Sequence, residues 1–119
     1  MEKKIILDTS FILTALKFKV DIFAEINRVC DFSYSLNIID KILNELQDKP
    51  DSKLAIGILK QKKVGIINTD EVKDVDSLIL KLINQDYIVA TQDKELKRMV
   101  KDKGVQVITI KQKKYVAFV

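Results

Sequence analysis

The 119-residue chain has no histidine and a single cysteine, Cys30. Those two shortages exclude Ser-His-Asp and Cys-His nucleophiles, the paired-histidine ribonuclease mechanism, and zinc sites built from His and Cys. Any hydrolytic chemistry is left to carboxylates. Glycine and proline are also scarce, at 3 and 1 residues. Neither G-x-G-x-x-G nor G-x-x-x-x-G-K-[ST] occurs, so the two familiar phosphate-cradling turns are absent. A lone cysteine at the end of a helical stretch reads as an inert core residue in a reducing, intracellular setting. No long hydrophobic run is present either. The opening MEKKIILDTSFILTAL has a charged start, but Asp8 breaks its apolar run too early for a signal-peptide core or a membrane span. A soluble, cytoplasmic protein with no membrane partner is expected.

What is present suits one globular domain over residues 1–119. A hydrophobic fraction of 47% is enough to bury a core without disulfides or a structural metal. The charge balance, 21 Lys+Arg against 17 Asp+Glu for a net +4, allows an anionic partner such as nucleic acid without demanding one. Lysine and isoleucine are abundant, a bias shared by AT-rich genomes and hot habitats.

Periodicity predicts an alternation of short strands and amphipathic helices. Strands are expected at 4–7, 33–36, 64–67, 87–90 and 105–110. Helical spacing is read over 10–17 through Phe11, Leu13 and Leu16, and after Asp21 through Ile22, Phe23, Ile26 and Val29. A third stripe, Ile38, Ile39, Ile42, Leu43 and Leu46, predicts a helix over 38–48 that Pro50 ends, with Asp51 or Ser52 capping the next. Further helices are expected over 74–85 and 93–103, the last stopped by Gly104. Strands joined by helical crossovers form a parallel sheet covered on both faces, hence an α/β fold of three layers with a central five-stranded sheet.

In such a sheet, ligands bind beyond the carboxyl ends of the strands. Asp8 directly follows the first strand, Asp93 lies just past the fourth, Asp76 starts the helix entering the fourth, and Glu45 sits in the helix after the second. The three aspartates could each cap a helix, a role that contributes about 0.5–2 kcal/mol. Glu45 is inside its helix beside Ile38 and Ile42, where a half-buried carboxylate seeks a cation or partner.

The segments LDTSFIL at 7–13, ILNEL at 42–46, VDSLIL at 75–80 and IVATQDKEL at 88–96 resemble, in order and spacing, the four acidic motifs of PIN-domain nucleases. The likeness is nearest to small archaeal PIN proteins related to the ribosomal-RNA-processing nucleases of the small-subunit processome, and extends to VapC-type ribonucleases. It implies a sheet ordered 3-2-1-4-5 and metal-binding, catalytic carboxylates at Asp8, Glu45, Asp76 and Asp93. Ser10 and Thr91 match the family's supporting hydroxyls. Gln92 stands where relatives usually carry Asn and could orient a water or phosphate, while Ser77 stands where many carry a second acid. Two carboxylates 4 Å apart repel by about 4 kcal/mol at an effective dielectric near 20, so four together call for a cation. All-oxygen ligation suits one or two Mg²⁺ or Mn²⁺ ions.

The activity this implies is endoribonucleolytic cleavage by metal-activated water, leaving a 5′-phosphate and a 3′-hydroxyl, in RNA processing such as that of ribosomal RNA. The alternatives are a toxin ribonuclease paired with an antitoxin and a non-catalytic RNA-binding module. A phospho-acceptor receiver domain fits less well, since it needs paired acids after the first strand, where only Asp8 stands. Lys94, Lys97 and Arg98, with Lys111, Lys113, Lys114 and Tyr115 of the tail, are the candidate RNA contacts. The partners expected are RNA, an antitoxin or ribosome-assembly protein, and a second copy of the chain.

Overall fold

The computed structural model describes residues 2–70 and 73–119. The chain runs β1 (Lys3–Leu7), α1 (Thr9–Phe18), α2 (Ile22–Val29), β2 (Tyr34–Ile39), α3 (Asp40–Gln47), α4 (Ser52–Gln61), β3 (Gly65–Ile67), α5 (Val75–Leu82), β4 (Tyr87–Ala90), α6 (Lys94–Asp102), β5 (Gln106–Lys111) and β6 (Tyr115–Phe118). One sheet takes the order β3-β2-β1-β4-β5-β6, parallel except for the last pair. Ile5, Ile6, Leu7 and the whole of β4 are buried, so helices cover both faces of its centre. Helices α1, α3 and α4 pack as one group and α5 with α6 as another, giving the expected α/β layering. Cys30 is free and buried, and burial pushes its thiol pKa up, in keeping with an inert core residue. Among the described residues no helix is long and apolar enough to cross a membrane.

Four expectations need correction. Ile38 and Ile39 belong to β2, and α3 begins at Asp40. A run of β-branched apolar residues fits a buried strand as well as a helical stripe, and pairing with β3 at Ile38↔Ile66 and Ile39↔Ile67 decides for the strand. Asp40 is tied across that junction, accepting hydrogen bonds from the Thr69 hydroxyl at 2.8 Å and the Thr69 N–H at 3.3 Å. Helix α5 stops at Leu82, because Ile83 is extended and Asn84 turns the chain by accepting the Asp86 N–H. Asp51 stands before α4 at φ 64° without using its side chain as a cap.

The fourth correction is a sixth strand. The residues read as a basic tail form a hairpin, β6 running antiparallel to β5 with Lys111 opposite Tyr115. The outward backbone groups of Val116 are covered by α2: its N–H donates to Glu25 Oε1 at 3.0 Å and its carbonyl accepts from Arg28 at 2.9 Å. An open sheet edge is thereby protected. Deleting the chain from Lys111 onward would remove part of the fold along with its lysines.

The hairpin turn closes by a Lys114 N–H to Lys111 O bond of 3.0 Å, with both central residues, Gln112 and Lys113, at positive φ. That is type I′ geometry, which favours Asn-Gly and costs other residues free energy. Replacing Gln112 by Asn together with Lys113 by Gly should raise unfolding free energy by about 1–2 kcal/mol in a denaturant titration. An unchanged or lowered midpoint would show that the turn carries no such strain.

Candidate active site

Sheet order reverses between β1 and β4: the chain first builds outward through β2 and β3, then returns to add β4 and β5 on the other side. Side chains leaving the carboxyl ends of these two strands open into the crevice where α/β folds place ligands. The register Leu7↔Ala90 sets Asp8 beside Thr91, and the Asp8 N–H bonds to Ala90 O at 2.9 Å.

Asp8 is buried and stands at the start of α1, yet its carboxylate does not cap that helix. Its Oδ2 instead accepts from Ser10 Oγ at 2.6 Å and from Thr91 Oγ1 at 2.8 Å. Each hydroxyl in turn accepts one backbone N–H from the loop after β4, Gln92 N to Ser10 Oγ at 3.0 Å and Asp93 N to Thr91 Oγ1 at 3.1 Å. A hydroxyl has a single proton to give. The two hydroxyls also stand 3.2 Å apart, but their shorter contacts direct both protons to Asp8 Oδ2, and no hydrogen bond among the described residues engages Oδ1.

Asp93 does cap its helix, its Oδ1 accepting from the N–H groups of Glu95 at 2.9 Å and Leu96 at 3.1 Å. Capping leaves the other oxygen open, since no hydrogen bond among the described residues engages Oδ2. Asp76 lies in the first turn of α5 and is not its cap. That task falls to Asp74, which accepts the Ser77 N–H at 3.2 Å; bonding to Ser77 holds the Asp74 carboxyl below its usual range. Asp76 is half-buried, and its pKa is pushed up to about 6, first by burial and then by the charges of Asp8, Asp93, Asp74 and Glu45. Glu45 is exposed rather than half-buried: with Ile38 in β2, the apolar stripe of α3 reduces to Ile42 and Leu46.

All four expected acids line one cleft of about 370 Å³, with Thr9, Ser10, Leu13, Lys49, Asp74 and Val75. A larger cavity of about 540 Å³ between α1, α2 and α4 is lined mainly by apolar side chains such as Leu16, Phe23 and Ile58 and contains none of those four acids. Size favours it, but the convergent ionisable groups are in the smaller cleft. Among the described residues no three acidic or sulfur side chains stand close enough to enclose an ion by themselves.

Gln92 differs from expectation. Its Oε1 accepts from Thr109 Oγ1 at 2.8 Å and Ile110 N at 2.6 Å, and its Nε2 donates to Ile110 O at 3.1 Å. Ladder pairing between β4 and β5 ends at Ala90↔Ile108, so the next inward-facing backbone groups of β5 lack a strand partner, and the Gln92 amide supplies one. It is spent on the sheet and not held out to a water or phosphate. Arg98 is likewise committed, to Glu95 and Asp102. Lys94 and Lys97 do not line the cleft. Lys111, Lys113 and Lys114 are exposed around the hairpin turn, with the Lys113 ammonium 5.0 Å from the Phe18 ring centre, and Tyr115 is half-buried in β6.

Sequence reading missed Asp74, Lys49 and Thr9. Asp74 looked like the first residue of a helix, which conceals its place at the cleft. Lys49 sits in the turn before Pro50, where no motif marks it. The Thr9 hydroxyl is buried without a hydrogen-bond partner among the described residues, a fact no pattern discloses.

The raised pKa of Asp76 gives a signed prediction for the metal-free protein. An unfolded Asp titrates near 3.9, so between about pH 4 and pH 6 the folded state binds the proton more tightly. Stability from this group is fully present below that window and is lost as pH rises through it. Denaturant unfolding in EDTA should show Asp76→Asn losing less stability than wild type across the window. Identical profiles would contradict it.

The comparisons with known proteins agree with this architecture. The model of the family described as "PIN like domain" matches residues 5–113. Ribonuclease VapC4 of Methanocaldococcus jannaschii is 31% identical over 122 aligned positions, which cover 94% of this chain and 93% of that protein. The solved structure of the PIN domain endonuclease Utp24 superposes with a TM-score of 0.85 at 22% identity, covering 97% of this chain and 90% of the other, a likeness of fold. With the acidic cleft at the sheet reversal and a family match spanning nearly its whole length, this chain belongs to the PIN-like domain family.

Proposed function

We infer that the protein is an endoribonuclease that hydrolyses RNA phosphodiester bonds with the help of divalent cations. The observation that carries this reading is the convergence of Asp8, Glu45, Asp76 and Asp93 on one cleft at the switch point, with the Asp76 proton held abnormally tightly by burial and then by the neighbouring charges. The relationship to Ribonuclease VapC4 supports RNA as the substrate.

The donor set fits a hard cation. Every candidate ligand is a carboxylate oxygen, and Asp8 Oδ1 and Asp93 Oδ2 have no competing hydrogen bond among the described residues. Carboxylate oxygens of this kind suit Mg²⁺ or Mn²⁺, which take oxygen ligands and retain several waters. Asp8 and Asp93 would hold one ion, with Glu45 and Asp76 nearer a second. Such an ion, when bound, supplies an activated water at neutral pH and charge to offset that building on the phosphate.

The protein's own contribution is positional. Ser10 and Thr91 hold Asp8 by its Oδ2 and leave Oδ1 without a hydrogen bond among the described residues. The start of α6 fixes Asp93 in place through two backbone N–H groups. With no histidine in the chain, the proton released by the attacking water goes to a carboxylate or to solvent.

An RNA-processing role and a toxin role share this chemistry. The toxin reading is favoured by the 31% identity with VapC4 and adds an antitoxin protein as partner. Expression of the chain alone distinguishes them. Growth arrest relieved by Asp8→Asn supports a toxin, and normal growth with RNA cleavage retained supports processing.

Asp93→Asn tests the nuclease reading itself. Asparagine caps helices about as well as aspartate, so the metal-free variant should be at least as stable as wild type. Cleavage of a labelled RNA in Mn²⁺ should nevertheless fall by about 100-fold or more. Wild-type cleavage at limiting Mn²⁺ would remove Asp93 from the site. Glu45→Gln, at an exposed position, should likewise keep its melting temperature and lose cleavage.

A further inference from the structure

Among the described residues that line the acidic cleft, Lys49 is the only cation. Its backbone is fixed on both sides: the Lys49 N–H bonds to Leu46 O at 3.0 Å, its carbonyl accepts the Ser52 N–H at 3.3 Å, and Pro50 follows directly. The side chain thus springs from a rigid turn between α3 and α4, four residues beyond Glu45 on the same wall.

An ammonium beside clustered carboxylates is ordinarily drawn into a salt bridge with one of them. Lys49 is exposed and makes no ion pair among the described residues, although Asp8, Glu45, Asp74, Asp76 and Asp93 line the same cleft. It is therefore not paired with any single acid of the cleft among the described residues. Nor does it help a metal bind, since a fixed positive charge at the rim repels an incoming cation. The species attracted both to Lys49 and to a cation held by the acids is a phosphate.

We propose that Lys49 is a substrate-binding residue that contacts an RNA phosphate at the mouth of the cleft, on the Glu45 side. This rests on the nuclease reading. It also assigns the cleft contact to a residue other than Lys94, Lys97 or Arg98, none of which lines the cleft. The consequence for substrate is a strand laid across the α3–α4 turn, with its backbone, not its bases, held at that point.

Lys49→Gln should lower kcat/KM for a labelled single-stranded RNA by about 10- to 100-fold, mostly through KM, and Lys49→Arg should restore most of the loss. Mn²⁺ affinity measured by calorimetry without RNA should be unchanged or higher. In the Asp8→Asn background, where turnover is not needed, Lys49→Gln should weaken RNA binding and reduce the magnitude of its salt slope by about one unit. An unaltered slope and affinity in that background would overturn the proposal and leave Lys49 a solvated surface charge. Weakened Mn²⁺ binding in Lys49→Gln would also overturn it, by making the lysine an organiser of the acids. Absence of cleavage by wild type would instead count against the nuclease reading, while the binding arm still decides Lys49.

Discussion

The pairing of β1 with β4 is the constraint on which the rest of this structure depends. Its register puts Asp8 beside Thr91, and through the short loop that follows β4 it brings Asp93 to the same crevice. Carboxylates gathered in this way repel one another, so something else must hold them. The sheet does so with buried isoleucine, leucine and valine side chains on both strands, a source of stability indifferent to charge. Hydrogen bonds then set the detail. Two hydroxyls and two backbone N–H groups form a closed circuit around Asp8 Oδ2, and Gln92 locks the same loop to β5. At Asp76, burial and then the charges of its neighbours hold a proton to about pH 6.

Much of this was legible in the sequence. Strand β4 follows from an unbroken apolar run ahead of a polar turn, and the α/β class follows from strands alternating with helices. The four acids could be picked out because each lies just past a strand or within the helix that follows one, positions that an open parallel sheet turns toward its binding edge. The resemblance of the surrounding segments to PIN-domain motifs pointed to the same residues.

What was not legible has physical causes. Ile38 and Ile39 satisfy both a helical and a strand period, and only the presence of β3 alongside selects between them. The last strand was hidden because a lysine-rich turn with positive φ at Gln112 and Lys113 violates the usual hairpin chemistry. Side-chain commitments such as Gln92 to Ile110 or Arg98 to Glu95 and Asp102 depend on three-dimensional neighbours. Composition can count lysines, but it cannot say which one faces the acids.

The central claim is that the folded chain gathers mutually repelling carboxylates that a divalent cation relieves. It is tested most directly by calorimetric melting of the metal-free protein with and without Mn²⁺. At about 100 times the dissociation constant, linkage predicts a stabilisation of about 2.7 kcal/mol for wild type. The response should disappear in a variant carrying both Asp8→Asn and Glu45→Gln. An unchanged wild-type transition, or an equal response in the double variant, would contradict the account.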